Sequence, residues 1–292
     1  MKRIVIFALL LVLLVCITTA ASSCGSNKNV PKTLKILAIG NSFSVDAMEY
    51  VYQIAESAGV EEIVLGNLYI GGCSLERHLK NSKEGICDYK YYKNTNGTWT
   101  TTEYYSIEGG IKDEDWDVIT LQQSSGVSGI ASSYENNLTE LIDFVNSEKT
   151  NKNAKLFWHM TWAYQQDSTH SSFPKYNSDQ LEMYNMIVKT VQENVMVLKE
   201  IDGIIPNATA IQNARTGFLG DTLTRDGYHL DKEIGRYIAG LCYFAAITGV
   251  DISDIDYVPT KKVTEKMRKL ATSSVMDAVK EPYKITQSPY TK

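Results

Sequence analysis

The chain has 292 residues, 43% of them hydrophobic, and 29 Lys and Arg against 34 Asp and Glu give a formal charge of −5. That is apolar material for one large domain or two small ones. The acidic balance, without any cluster of Lys and Arg, argues against a phosphate-backbone partner, so nucleic acid is set aside.

Lys2 and Arg3 precede an apolar run from Ile4 to Ile17, followed by the small residues TTAASSC. Residues 1–23 therefore read as a secretory signal, and their apolar run is shorter than the roughly 20 residues that span a bilayer core. The junction Ala21-Ser22-Ser23-Cys24 resembles a bacterial lipobox, in which Cys24 is lipidated and becomes the first mature residue; ordinary cleavage nearby is the alternative. Loss of residues 1–23 removes Lys2 and Arg3 and no acidic residue, so the formal charge of −5 becomes −7. Residues 24–33 read as a tether. The expected product is an exported protein, periplasmic or on the cell surface, that meets the membrane only through its lipid.

Residues 35–40, KILAIG, read as a first strand, and 45–59 as a helix with Met48, Val51, Ile54, Ala55 and Ala58 at helical spacing and Gly59 as its stop. Strands follow at 61–70, 117–123, 155–162 and 203–211, and helices at 135–148, 179–198, 232–248 and 261–279. Near-continuous apolar strands separated by helices predict a three-layer α/β/α sandwich around a parallel sheet. In such sheets the ligand lies beyond the carboxyl ends of the strands, which makes the turn after Gly40 a place to look for function. A segment at 88–106 interrupts the alternation: Asn96-Gly97 between β-prone flanks predicts a hairpin. Its aromatic residues either line a groove for sugar rings or pack against the domain. Residues 34–280 are read as the domain and 281–292 as a polar tail.

Five cysteines need places: Cys16 leaves with the signal, Cys24 is the lipid candidate, and Cys242 sits in an apolar helical pattern. Cys73 and Cys87 either pair, as an oxidising compartment allows, or stay free. His78, His159 and His170 show no metal-ligand spacing and are read as structural or surface residues. Trp158 and Trp162, at a strand end, are either core or pocket wall.

In TRDGYHLD, residues 224–231, Asp226 and His229 stand three apart, a spacing that lets the carboxylate accept the Nδ1 proton and leaves Nε2 outward. The ordinary reading of such residues, like that of Ser42 after Gly40-Asn41, is helix capping. Taken together, four blocks resemble the SGNH hydrolases, also called GDSL-type esterases and lipases: GNSFS (40–44), YIGG (69–72), TLQQSSG (120–126) and DGYHL (226–230). The resemblance spans roughly residues 35–248 and implies a flavodoxin-like sheet, Ser42 as nucleophile, His229 as base and Asp226 as the group that orients it. It also implies an oxyanion hole from the N–H of Ser42 and that of Gly71 or Gly72. Its third donor is usually an asparagine of the third block. Here Gln122 stands there, with Gln123 as second option, and some carbohydrate-esterase branches are similar in this. No metal or cofactor is implied. The expected activity is that of a serine ester hydrolase on a small-molecule or polysaccharide ester, with a carbohydrate O-acetylester favoured. The alternatives are a silent glycan-binding lipoprotein and a lipase or thioesterase.

Overall fold

A computed structural model describes residues 30–291. The signal segment, Cys16, Cys24 and most of the tether lie outside the described residues.

Seven strands form one sheet: β1 (Thr33–Gly40), β2 (Glu62–Tyr69), β3 (Tyr89–Asn94), β4 (Trp99–Tyr105), β5 (Val118–Leu121), β6 (Lys155–His159) and β7 (Gly203–Ile205). Their order is β4-β3-β2-β1-β5-β6-β7. β2, β1, β5, β6 and β7 run parallel, which is the 2-1-3-4-5 order of flavodoxin-like sheets. β1 lies at the centre, with Ile36, Leu37, Ala38 and Ile39 all buried, as expected of a strand covered on both faces.

The helices are α1 (Ser42–Met48), α2 (Val51–Ala58), α3 (Leu75–Glu84), α4 (Ile107–Lys112), α5 (Glu135–Glu148), α6 (Gln180–Asn194), α7 (Asn207–Arg215), α8 (Ile234–Thr248) and α9 (Glu265–Lys280). The chain steps one way from β1 to β2 and the other way from β2 to β5, so right-handed crossovers put the connecting helices on opposite faces. α1, α2, α7, α8 and α9 pack together on one face, and α3, α4 and α5 on the other. Among the described residues no helix is long and apolar enough to cross a membrane.

The hairpin does not stand apart from the sheet. β3 pairs antiparallel with β2 and β4 with β3, extending one edge. Asn94 closes the turn, its Oδ1 accepting from Gly97 N at 2.8 Å, and Gly97 has φ +85°. The outer strand, WTTTEYY, is largely exposed and mostly polar, which blunts an edge that would otherwise invite pairing. Gly66 of β2 makes room for this packing: a Cβ there would lie 2.7 Å from Trp116 and 2.9 Å from the Tyr91 hydroxyl.

Three expectations need correction, and the choice left open for Cys73 and Cys87 is decided. The helix read over 45–59 begins at Ser42 and is broken at Glu49 and Tyr50, where the Tyr50 hydroxyl donates to Lys232 O at 2.5 Å. The strand read over 203–211 ends at Ile205, and Asn207–Arg215 is helical: Pro206 lacks the N–H that a strand ladder needs, and burial against α8 and α9 suits Ala208, Ala210, Ile211 and Ala214 as a helix. The terminal segment docks on α7, with Thr286 N donating to Asn213 Oδ1 at 2.7 Å and Ser288 N to Thr216 Oγ1 at 2.8 Å. Cys73 and Cys87 are both free, one buried and one exposed. They lie beyond opposite ends of α3, whose ten residues span about 15 Å, whereas a bridge needs Cα atoms within about 7 Å.

Gly66→Ala is expected to lower unfolding stability by about 1–3 kcal/mol through overpacking against Trp116 and Tyr91, read by urea denaturation. An unchanged midpoint would show that the hairpin yields without cost.

Candidate active site

β1 ends at the centre of the sheet, next to the point where strand order reverses, and the chain turns at once into α1. Gly40 is required there: a Cβ would lie 2.6 Å from Ser44 Oγ and 2.9 Å from Gln122 Oε1. Asn41 caps α1, its Oδ1 accepting from Phe43 N at 3.0 Å, while its Nδ2 donates to Cys73 O at 3.1 Å. Ser42 is thus the first helical residue, its N–H among those that a helix leaves without an internal partner.

The segment 224–231 reaches the same point from the far end of the chain. An isolated bridge joins Thr224 to Leu230, and Gly227 takes φ +89°. Trp162 Nε1 donates to Tyr228 O at 2.7 Å and Gln165 N to Gly227 O at 2.8 Å, fixing the turn from beneath. The result is a row of three groups: Ser42 Oγ lies 2.8 Å from His229 Nε2, and His229 Nδ1 lies 2.7 Å from Asp226 Oδ2. An ionised carboxylate can only accept, so Nδ1 carries the proton and Nε2 presents its lone pair to the hydroxyl. Burial pushes the Asp226 carboxyl up, but the hydrogen bonds from the His229 ring and from the N–H groups of His229 and Tyr228 outweigh it and hold the pKa below the usual range.

What holds loop and helix together is Asp46, one turn beyond Ser42 and fully buried. Arg225 Nη1 reaches both its oxygens at 3.0 Å, Arg236 Nε donates to Oδ1 at 2.9 Å, and Leu230 N donates to Oδ2 at 2.9 Å. Asp46, Arg225 and Arg236 escaped the sequence reading. The signal was an acid on the inward face of the first helix, with arginines flanking DGYHLD.

Gly71 and Gly72 also border Ser42. Cys73 N donates to Ile70 O at 3.2 Å across them, and Gly72 has φ +62°, the conformation that a type II turn requires at that place. The expected third donor is not in the cleft. Gln122 is buried, its Nε2 donating to Asn41 Oδ1 at 2.8 Å and its Oε1 accepting from His159 Nδ1 at 2.9 Å. Gln123 is buried too, its Oε1 accepting from Leu75 N at 3.1 Å and its Nε2 donating to Ser133 O at 3.0 Å. Both amides brace the turns around Ser42, because a buried amide must spend its groups on partners within reach. His159 continues the chain, its Nε2 accepting from Asn207 Nδ2 at 3.0 Å.

The cleft around Ser42 holds about 470 Å³, and Phe43, Tyr69, Tyr92, Ser125, His170 and Tyr228 are among its walls. Trp158 and Trp162 are core; Trp162 stacks on Phe43 with ring centroids 4.3 Å apart. His170, read as a structural or surface residue, belongs to the cleft. Its Nδ1 accepts from Ser172 N at 3.1 Å, so the neutral ring carries its proton on Nε2. Its pKa is lowered, first by burial and then by His229 nearby. Among the described residues no cluster of His, Cys, Asp and Glu could hold a metal ion.

The architecture is a mixed α/β fold with a seven-stranded, mostly parallel sheet between helices. The chain belongs to the DUF4886 family, described as a domain of unknown function, which matches residues 35–278. A DUF4886 family protein from Bacteroides uniformis is 41% identical, with a TM-score of 0.84, and the match covers 87% of this chain and 98% of that one. The lipase Lip_vut3 from goat rumen metagenome is 14% identical with a TM-score of 0.47, over 74% of this chain and 98% of that one. A catalytic mutant of Axe2, an acetylxylan esterase from Geobacillus stearothermophilus, is 10% identical with a TM-score of 0.45, over 80% of this chain and all of that one. Among curated proteins none matches.

Replacing Asp46 by Asn leaves two arginines facing an uncharged amide and is expected to cost about 3–5 kcal/mol of stability, measured by chemical denaturation. A loss below about 1 kcal/mol would show that Asp46 does not hold the loop and helix together. A second expectation concerns pH. Burial, with Arg77 adding to it at His78, holds His78 and His159 at about 3, far below the usual imidazole value. The unfolded chain protonates them near 6.5 and the folded chain does not, so their contribution is complete above about pH 6.5 and declines as the pH falls towards 3. Urea titrations should show about 2 kcal/mol lost per ring between pH 7.5 and 5, and a flat profile would contradict it.

Proposed function

We propose that this protein is a serine ester hydrolase of the SGNH type, acting outside the cytoplasm, with carbohydrate O-acetyl esters as its substrate class. The observation that carries the reading is the row Ser42–His229–Asp226, with hydrogen bonds of 2.8 and 2.7 Å. A serine hydroxyl is a poor nucleophile at neutral pH and needs a base within reach, which His229 Nε2 is. The export signal and a lipid on Cys24 belong to the same proposal.

In the proposed course, Ser42 Oγ attacks the acyl carbonyl as its proton passes to His229 Nε2. The imidazolium that forms is stabilised by Asp226, itself anchored by two backbone N–H groups. The N–H of Ser42, with that of Gly71 or Gly72, receives the oxyanion, each donor lowering the barrier by about 3–4 kcal/mol. The tetrahedral adduct then expels the alcohol, which takes the proton from His229, and leaves an acyl-enzyme on Ser42. Water attacks next, giving its proton to the same nitrogen; that proton then passes to Ser42 Oγ as its bond to the acyl carbon breaks and the carboxylic acid departs.

A cleft of about 470 Å³ falls within the range of small-molecule sites, and its walls combine aromatic rings with polar groups. The sugar as alcohol is supported by the resemblance of the motif blocks and by the aromatic hairpin beside the cleft. The reading is tested by acetate release from acetylated xylan and from aryl acetates. Ser42→Ala and His229→Ala should each lower kcat by about 10⁴–10⁶-fold, and together by no more than either alone. A Ser42→Ala protein within tenfold of the parent would refute it, whereas release of long-chain acids from lipid esters in place of acetate would move the substrate to the lipase class.

A further inference from the structure

A second cavity adjoins the cleft. It holds about 240 Å³ between α1 and the hairpin, lined by Val45, Glu49, Asn67, Tyr92 and Trp99. Val45 and Tyr92 also line the Ser42 cleft, and Val45 stands three residues beyond Ser42 on the same helix. We propose that this cavity is the subsite for the sugar ring that carries the scissile ester; the inference rests on the hydrolase reading above and assigns the alcohol side of its substrate.

Sheet register brings the aromatic residues together. Asn67 pairs with Tyr92 across β2 and β3, and Tyr92 with Thr101 across β3 and β4. Since side chains alternate along a strand, Trp99, two before Thr101, shares a face with Tyr92, and so does Tyr69, two beyond Asn67. The Tyr69 and Tyr92 rings are 5.7 Å apart. A strip of three aromatic side chains thus leads along one face from the Ser42 cleft into the second cavity.

Polar groups at the rim decide what the strip would hold. Asn67 Oδ1 already accepts from Ser44 Oγ at 2.9 Å, which leaves its amide N–H as the available group. Glu49 Oε2 meets Arg236 at 3.2 Å and Oε1 remains as an acceptor. Trp99 Nε1 is buried without a hydrogen-bond partner among the described residues. An acyl chain placed here would strip water from a carboxylate and an amide and return nothing. A pyranose offers an apolar C–H face to the rings and hydroxyls that both donate and accept, which is what an amide donor beside a carboxylate acceptor can use. The volume, below the roughly 300 Å³ at which whole drug-sized ligands are buried, suits one ring of a longer, solvent-exposed chain.

The test compares two esters with the full chain. The ratio of kcat/KM for acetylated xylotriose to kcat/KM for 4-nitrophenyl acetate is expected to fall at least tenfold in Trp99→Ala, mostly through KM, and to recover in part in Trp99→Phe. Taking the ratio cancels any damage to Ser42 that both esters would feel. An unchanged ratio, or a Trp99→Ala defect on long-chain aryl esters in place of the sugar ester, overturns the proposal. If the parent protein hydrolyses neither ester, the hydrolase reading fails separately. Calorimetric titration with unacetylated xylotriose then decides the subsite: binding by the parent that Trp99→Ala loses supports it, and no binding, or equal binding, ends it.

Discussion

A carboxylate removed from water costs several kcal/mol unless charges and hydrogen bonds replace its hydration, and in this protein Asp46 is such a carboxylate. Two guanidiniums and one backbone N–H surround it, and they come from the segment 224–231 and from α8, nearly two hundred residues further along the chain. Satisfying Asp46 therefore has a geometric consequence: the helix that begins at Ser42 and the turn that carries His229 must meet. The same arginine whose backbone N–H donates to His229 O also grips Asp46 through its side chain, so the imidazole's position is tied to a buried ion pair rather than to surface contacts.

Around this anchor the fold supplies direction. The reversal of strand order beside β1 opens a space at the carboxyl end of the sheet, and Gly40, Asn41 and Gly71-Gly72 shape the backbone that borders it. A second, uncharged network runs beneath: Asn41, Gln122, His159 and Asn207 hydrogen-bond in sequence, linking the ends of β1, β5 and β6 to the start of α7. Every member has a role fixed by its neighbour. The Asn41 amide is oriented by Phe43 N and Cys73 O, which orients Gln122, which in turn sets the tautomer of His159. Such a chain braces the turn at Ser42, as the proposed role of its hydroxyl requires.

Much of this was legible from the residues alone. Alternating apolar runs and helical patterns announced the parallel sheet, and α5 falls where its periodicity placed it. Ser42, Asp226 and His229 were singled out because the short blocks that hold them resemble those of the SGNH hydrolases; by spacing alone they read equally well as helix caps. The rest depended on tertiary context. ATAI at 208–211 alternates well enough for a strand, and only Pro206 and burial among helices decide for α7. Gln122 follows a strand end, as a donor to the cleft would, but which way an amide faces depends on partners such as Asn41 and His159 that no spacing reveals. His170 sits in a serine-rich loop with no pattern at all, and reaches the cleft only because that loop packs against Tyr164 and Tyr228.

The central claim is that Ser42 is an activated nucleophile, made so by a ring that is itself held in one tautomer by Asp226. The most direct measurement is mass-spectrometric mapping of the protein after brief exposure to a fluorophosphonate. A single stoichiometric adduct is expected on the peptide containing Ser42, formed slowly or not at all when His229 is replaced by Gln. An adduct on another serine, or labelling of Ser42 at an equal rate without the imidazole, would contradict it.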